Sequence, residues 1–396
     1  MSKVVSVECI HLRFDCDMEK TFQTPAGPVH ARFTTLIRLR TDDGLEGIGS
    51  AYAHPAIVQA SVDHLAPFVI GFDIENTAQT HTRLHGISRW YGRKGGAVAA
   101  ISGIDTALWD LRGKAAGQPL WKLLGGSEPR SPAYASGNLY SSPEAVAEGA
   151  ARAVARGFTR VKMRIGWSWD YDCAAMRAAR AAIGDACDLM IDGTHRFTLD
   201  QAIRTVPVLG EIRAFWFEEP FSPDDLDNYV ALRPHANAVG VPLAGGENEF
   251  AYHGFRELIR AGAVDIVQCD ASRAGGVTEL LRIAELAGEH GIRVAPHTWC
   301  DIVAVKANAH VVAALPNGLT CEVDQTGNRF IEELAGPLRI ANGCLELGDA
   351  PGLGLTLDED VVRELRVADP YNMPAGNYCD IVIGRGQTRY IGDYVS

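Results

Sequence analysis

LMIDGTHRFTLDQAIRTVPVLGEIRAFWFEEP, residues 189–220, holds one complete unit of the fold. An apolar run ends in Asp192, small turn residues follow, residues 198–210 carry an amphipathic helix pattern, and a second apolar run ends in Glu218. Runs that are apolar throughout mark strands buried on both faces, as in a parallel sheet. The unit repeats outward in both directions. Lys162 sits in VKMRIG, Glu247 in AGGEN, Asp270 in IVQCD, His297 in RVAPH and Glu322 in LTCEV. By subtraction the seven polar residues from Lys162 to Glu322 are separated by 30, 26, 29, 23, 27 and 25 positions. One strand, one helix and two loops take about 30 residues, so all seven fall at the same end of successive βα units. In a closed barrel that end is the mouth, where such folds keep their chemistry.

SPAYAS at 131–136 supplies a first strand, giving eight with the seven later runs. Helices are expected at 143–156, 170–183, 198–210, 251–261, 275–289 and 301–314. The first 60 residues alternate like antiparallel strands around a DDG turn, and residues from about 56 to 124 read as helices ending at Gly125-Gly126. The expected organisation is an α+β unit over 1–125, a barrel over 126–345, and a loop-rich segment over 346–396 that packs back on the first unit.

A chain of 396 residues has room for a barrel plus an addition. Its 37 basic and 49 acidic residues, a formal charge of −12, argue against non-specific nucleic-acid binding. Nine cysteines without CxxC spacing suggest neither a disulfide framework nor a zinc site, and reduced thiols point to the cytoplasm. No run of eighteen apolar residues appears, so no membrane span is expected.

Asp192, Glu218 and Glu247 offer oxygen ligands of the kind Mg²⁺ takes, with positions left for substrate oxygens. Acidic helix caps after strands are ordinary singly; three in successive units are not. No His or Cys stands at ligand spacing beside them, which disfavours zinc or copper. Glu219 and Glu249 are close alternatives, although strand alternation points Glu219 away from Glu218. A His after a strand is commonly structural, but His297 follows Asp270 by one βα unit, and a carboxylate partner makes an imidazole a competent base. Lys162 and Arg164, two apart on one strand, face the same side.

This set, together with ALWDLRGKAAGQPLWKLLGG, FWFEEP, CDASRAGGVTE and APHTW, resembles the mandelate racemase subgroup of the enolase superfamily across essentially the whole chain. The resemblance implies a modified (β/α)7β TIM-type barrel whose last helix is missing or displaced. Over it lies a substrate-selecting α+β capping domain completed by the C-terminal tail. It further implies Mg²⁺ on Asp192, Glu218 and Glu247, a catalytic Asp270/His297 dyad, and Glu322 as partner to the substrate carboxylate. Lys162 matches the first Lys of the family's Lys-x-Lys motif. The shared chemistry is removal of the proton α to a carboxylate, giving an ene-diolate.

Arg164 departs from that motif, whose second Lys is a base; arginine stays protonated and is a poor proton acceptor. One efficient base, His297, favours dehydration over racemisation. Thr194 stands where many relatives carry Asn two residues after the Asp, and it or the adjacent His195 is a candidate substrate contact. Further contacts are expected near Glu19, Lys20, Tyr52 and His54, and from Arg89, Tyr91, Arg93 and Lys94. The expected activity is dehydration of an acid sugar, an aldonic acid before an aldaric one, to a 2-keto-3-deoxy acid. A racemase or epimerase of a hydroxy acid is the alternative, and a catalytically silent binding relative a weaker one. Relatives imply a homo-oligomer, dimer or octamer.

Overall fold

The computed structural model describes residues 2–17, 21–24, 27–137, 142–373 and 381–383. The N-terminal sheet is built on one long hairpin. Strand β1 (Val4–Asp15) pairs antiparallel with β3 (Gly27–Thr41), which also pairs with β2 (Gln23–Thr24) and β4 (Glu46–Ala51). The DDG turn closes through Gly44 at φ 89°, a left-handed backbone that suits glycine. Helices α1 (Pro55–Leu65), α2 (Thr77–Ser88), α3 (Gly96–Ala115) and α4 (Leu120–Leu123) follow.

Helix α3 is buried on nearly every side and lies directly on β4. Their approach requires glycine, because a Cβ at Gly49 would overlap the carbonyl of Gly103, and one at Gly47 that of Ala107. Backbone cannot yield as a flexible side chain does. Gly49→Ala is therefore expected to destabilise the protein by about 1–3 kcal/mol, the usual cost of overpacking. A lower urea midpoint with an unchanged slope would show it.

The barrel runs β5 (Arg130–Ser136), α5 (Pro143–Ala155), β6 (Arg160–Arg164), α6 (Trp169–Ile183), β7 (Asp188–Asp192), α7 (Leu199–Glu211), β8 (Ala214–Glu218), α8 (Leu226–Ala238), β9 (Leu243–Gly245), α9 (Ala251–Arg260), β10 (Ile266–Val267), α10 (Gly276–Glu289), β11 (Arg293–Val294), α11 (Ile302–Ala314) and β12 (Cys321–Asp324). Strands β5 to β11 pair in chain order and in parallel, and β12 pairs in parallel with β5. The seam between β11 and β12 is closed by Val294 N–H donating to Asn317 O (3.0 Å) and Leu319 N–H to Val294 O (2.8 Å).

After β12 the place of an eighth helix is taken by the four-residue α12 (Arg329–Glu332) and the hairpin β13 (Ile340–Ala341) and β14 (Cys344–Glu346). Strand β14 lies antiparallel on β5. This is the (β/α)7β form. The chain then returns to the N-terminal unit: α13 (Glu359–Leu365) reaches β1, Val367 N–H donates to His11 O (2.8 Å), and β15 (Ile381–Ile383) adds to β3.

Two expectations need correction. Helix α8 was not among the expected helices; like α7 with Pro207 it carries an internal proline, Pro234, and it buries only Tyr229, Leu232 and Ala236. Strands β9 to β11 are also shorter than their apolar runs. Glu247 lies two residues beyond β9, in a turn, and Asp270 and His297 each lie three beyond β10 and β11, outside the strands.

Candidate active site

The floor of the site is apolar. Tyr134, Met190, Trp216, Ala244, Ile266 and Ala295 form one cluster inside the barrel. Two residues past Met190 and Trp216 on the same strands stand Asp192 and Glu218, on the same face by the strand period. Register aligns Arg164 with Asp192 and Asp192 with Glu218 across β6, β7 and β8.

Lys162 and Arg164 both project inward. The Lys162 ammonium is 2.6 Å from Glu218 Oε1, 2.9 Å from Glu322 Oε1 and 3.7 Å from Asp192 Oδ2, with all four side chains buried. Burial opposes its charge, but Glu218, Glu322 and Asp192 outweigh it and hold its pKa above that of a free lysine. Arg164 Nε lies 3.1 Å from Asp192 Oδ2, and its guanidinium rests 4.3 Å from the Trp299 ring centre. Burial opposes its charge too, yet Asp192 and Glu322 raise its pKa further. Both groups are therefore permanent cations.

The acids are crowded. Asp192, Glu218, Glu219, Asp270 and Glu322 are buried, and the Glu247 side chain is 22% exposed. Burial, reinforced by Asp192, Glu322 and Glu247, outweighs Lys162 and pushes the Glu218 carboxyl up to about 8. Six carboxylates against two fixed cations, with an all-oxygen donor set at the ends of three successive units, fit a hard divalent cation. Trp216 Nε1 orients Glu218 by donating to its Oε2 (2.9 Å), and Thr298 N–H donates to Glu322 Oε2 (2.8 Å).

His297 Nδ1 is 3.0 Å from Asp270 Oδ2, which leaves Nε2 facing the acids, 3.8 Å from Glu247 Oε2. Asp270 is itself held: its Oδ1 accepts from Ser272 N–H, Ser272 Oγ and Asn308 Nδ2, at 2.8, 2.8 and 3.0 Å. Asn308 also donates to His297 O (3.2 Å) and accepts from Ala271 N–H (2.9 Å). Burial disfavours imidazolium, but Glu247 and the Asp270 bond push His297 up to about 9.

The capping domain touches the dyad. The Tyr52 ring stacks on His297 with centres 5.6 Å apart, and Tyr52 N–H donates to Ser272 O (2.8 Å). Thr34 and Ser50 hydroxyls donate to Asp301 Oδ2 (2.6 and 2.7 Å), whose other oxygen caps α11 through Val303 and Ala304 N–H. Arg32, on β3, meets Asp324 on β12 at 2.6 Å and donates to Trp299 O (2.7 Å).

The remaining expected contacts divide. His54 accepts from Ala56 N–H at the start of α1 and packs edge-on against Phe33. Arg89 turns back to Gly86 O, and Tyr91 packs against His64, both at the capping-domain surface. Lys94 pairs with Glu249 (2.8 Å), in the loop after β9. Lys20 and Glu19 lie outside the described residues. Thr194 donates from its hydroxyl to Ile165 O (3.1 Å), while His195 lies 3.0 Å from Glu219 Oε2 and 3.6 Å from Glu247 Oε1.

Glu219 directs its carboxylate to Gly246 N–H (2.6 Å) and His195 Nδ1 (3.0 Å), whereas its neighbour Glu218 faces Lys162. Strand β8 ends at Glu218, and Glu219 takes φ 37°, so alternation stops there. Among the described residues, the ligand atoms gathered within 4.8 Å of one another are those of His195, Glu219 and Glu247. Asn308, Ser272 and Trp299 carried no functional reading in the sequence. Trp216 was legible, since a residue two before Glu218 on a strand shares its face.

Comparison with known proteins places this architecture. Residues 10–125 match the mandelate racemase / muconate lactonizing enzyme N-terminal domain, and residues 145–361 match the enolase C-terminal domain-like family. The chain is 34% identical to D-galactarolactone cycloisomerase of Agrobacterium fabrum over 89% of its own length and 97% of the relative. It is 33% identical to arabinonate dehydratase of Saccharolobus solfataricus, covering 83% and 89% of the two chains. A racemase from Streptomyces coelicolor A3(2), solved with bound magnesium, superposes with a TM-score of 0.84 at 30% identity over 92% of this chain and all of that one. The chain belongs to the mandelate racemase / muconate lactonizing enzyme family of the enolase superfamily.

Proposed function

We propose that the protein is a Mg²⁺-dependent dehydratase of an acid sugar, forming a 2-keto-3-deoxy acid. The observation that carries this reading is the one-sided supply of bases. His297, backed by Asp270, presents Nε2 to the site, whereas Lys162 and Arg164 are held as permanent cations by the acids around them. In this reading Asp192, Glu218 and Glu247 hold the ion. Bound there, Mg²⁺ supplies positive charge to the substrate carboxylate and offsets Glu247, the chief group raising the His297 pKa.

His297 Nε2 removes the α-proton. Lys162 and Arg164 stabilise the negative charge that develops on the ene-diolate, a preorganised field that needs no rearrangement during the reaction. The imidazolium then delivers its proton to the departing β-hydroxyl. The α C–H and β C–O bonds break, water leaves, and the enol becomes the 2-keto acid. One His serves both steps when elimination is syn. Tyr52, stacked on His297, is the capping-domain group best placed to meet the sugar hydroxyls. Arg89 and Tyr91 stay at the surface and Lys94 is paired with Glu249, which favours an aldonic acid over an aldaric one.

A second reading is favoured by the 34% identical relative, a cycloisomerase. The same proton removal would then expel an oxygen that remains tethered to the product. Screening acid sugars and sugar lactones with Mg²⁺ tests both. Dehydration is expected to yield a semicarbazide-reactive product lighter than substrate by one water, and cycloisomerisation a product of unchanged mass. Recovery of substrate carrying deuterium from ²H₂O, with no keto acid, would instead establish a racemase or epimerase.

A further inference from the structure

Four flat side chains make a run of contacts from the loop after β9 to the dyad. Tyr52, in the turn between β4 and α1, lays its ring on the His297 imidazole, with 5.6 Å between centres and 29° between planes. The Arg273 guanidinium lies over Tyr52, 5.3 Å from the ring centre, and over Phe250 at 4.8 Å. Both separations fall within the roughly 6 Å over which a cation is drawn to a ring face. The backbone of Arg273 is tied to the dyad acid, its N–H donating to Asp270 O (3.0 Å). Its Nη2 donates to Asn248 Oδ1 (2.8 Å), and Asn248 Nδ2 lies 3.3 Å from Glu247 Oε1. Two backbone bonds seat the same segments on one another, Tyr52 N–H on Ser272 O (2.8 Å) and Ala251 N–H on Ala274 O (2.9 Å). Segments distant in the chain thus meet at one side chain.

We propose that Arg273 is a positioning residue for the reaction: it holds Tyr52 flat on His297 and so fixes the plane in which Nε2 meets the α-proton. This rests on His297 being the base, as proposed above, and not on which group leaves afterwards. The hydrogen bond between Nδ1 and Asp270 sets one direction within the imidazole plane but not the tilt of that plane. A ring packed on the imidazole face supplies the second constraint, and Arg273 holds that ring in place from the barrel side. It exchanges no proton itself, because arginine stays protonated. Lysine would not serve equally. A guanidinium is planar, stacks on rings and donates within its own plane, whereas an ammonium is a compact, strongly hydrated point charge. The geometry matters because misplacing a reacting group by about 1 Å can cost about 10²-fold in rate.

Arg273→Lys in the full chain tests this through two readouts, hydrogen exchange of the Tyr52 amide and release of the substrate α-proton to solvent. Without substrate, Tyr52 amide exchange is expected to quicken about tenfold, as loss of a cation–π contact allows, while amides of β3 keep their protection. With substrate, kcat for α-proton release should fall about 10–10²-fold at nearly unchanged KM. In a Tyr52→Leu background the same substitution should cost nothing further, because its effect runs through that ring. Unchanged Tyr52 protection, or losses that add in the double variant, would overturn the proposal. So would a raised KM at unchanged kcat, which would make Arg273 a substrate-binding group. Phe250→Leu leaves the charge and the Asn248 bond in place and should move both readouts the same way by a smaller factor. That variant decides the matter if Arg273→Lys does not fold. An unmodified protein that releases no α-proton from any acid sugar would remove His297 as base, and quickened Tyr52 exchange in Arg273→Lys would then still establish the clamp.

Discussion

Replacing His297 with Asn is expected to lower the rate of keto-acid formation by about 10²–10⁴-fold, the range general acid–base catalysis contributes. Asparagine keeps a polar group of similar reach toward Asp270 but cannot accept a proton from carbon. Neither neighbour can take over. Lys162 is locked by Glu218 and Glu322, and Arg164 lies against Asp192 and Trp299. Exchange of the α-proton with ²H₂O should therefore disappear together with dehydration. Asp270→Asn is expected to act in the same direction, because the amide no longer fixes the imidazole tautomer or stabilises its charge. The fold should survive both changes, since Asn308 continues to hold the loop through Ala271 N–H and His297 O, and Ser272 O still accepts from Tyr52 N–H. Retention of α-proton exchange in His297→Asn would identify another base and remove the argument for one-sided chemistry.

The largest effect on stability is expected at Arg32→Met. Arg32 and Asp324 are 2% and 0% exposed at the side chain and form a 2.6 Å ion pair between the capping sheet and the last barrel strand. Arg32 also donates to Thr326 Oγ1 (3.2 Å), and its guanidinium lies 5.1 Å from the Trp299 ring centre. Removing one partner leaves a buried carboxylate uncompensated, which costs about 3–5 kcal/mol. The double variant Arg32→Met/Asp324→Leu removes that orphan charge and should recover much of the loss, because buried pairs contribute more through the penalty of breaking them than through their net attraction. Denaturant unfolding of the single and double variants measures this coupling. Single losses that simply add would show that the pair does not couple the two parts. Trp299 also packs against Arg164, so the single variant should lose activity before it unfolds.

Most of the barrel was readable because its signals are local and periodic. Apolar runs, turn residues and a recurrence of roughly one βα unit need no long-range information, and they located Lys162, Asp192, Glu218, Glu247, Asp270, His297 and Glu322 in order. The reading failed where tertiary packing overrode local pattern. Helix α8 forms despite Pro234 because its three buried residues pack on the barrel. Strands β9 to β11 stop early because the segments beyond them turn toward the capping domain, as Tyr52 N–H on Ser272 O illustrates. The positions of Arg89 and Tyr91 were equally inaccessible, since sequence distance says nothing about which face of a helical layer meets the barrel.

The amino-acid sequence by itself determined the βα repeat, the order of the polar residues at its ends, and the arginine at position 164. Each follows from residue type and spacing along a single strand or helix. Only the tertiary structure decided that Trp299 lies against Arg164, that Asn308 steadies the dyad from α11, and that His195 stands beside Glu219 and Glu247. Those contacts depend on positive backbone angles and on the meeting of elements distant in the chain, and no local periodicity encodes them.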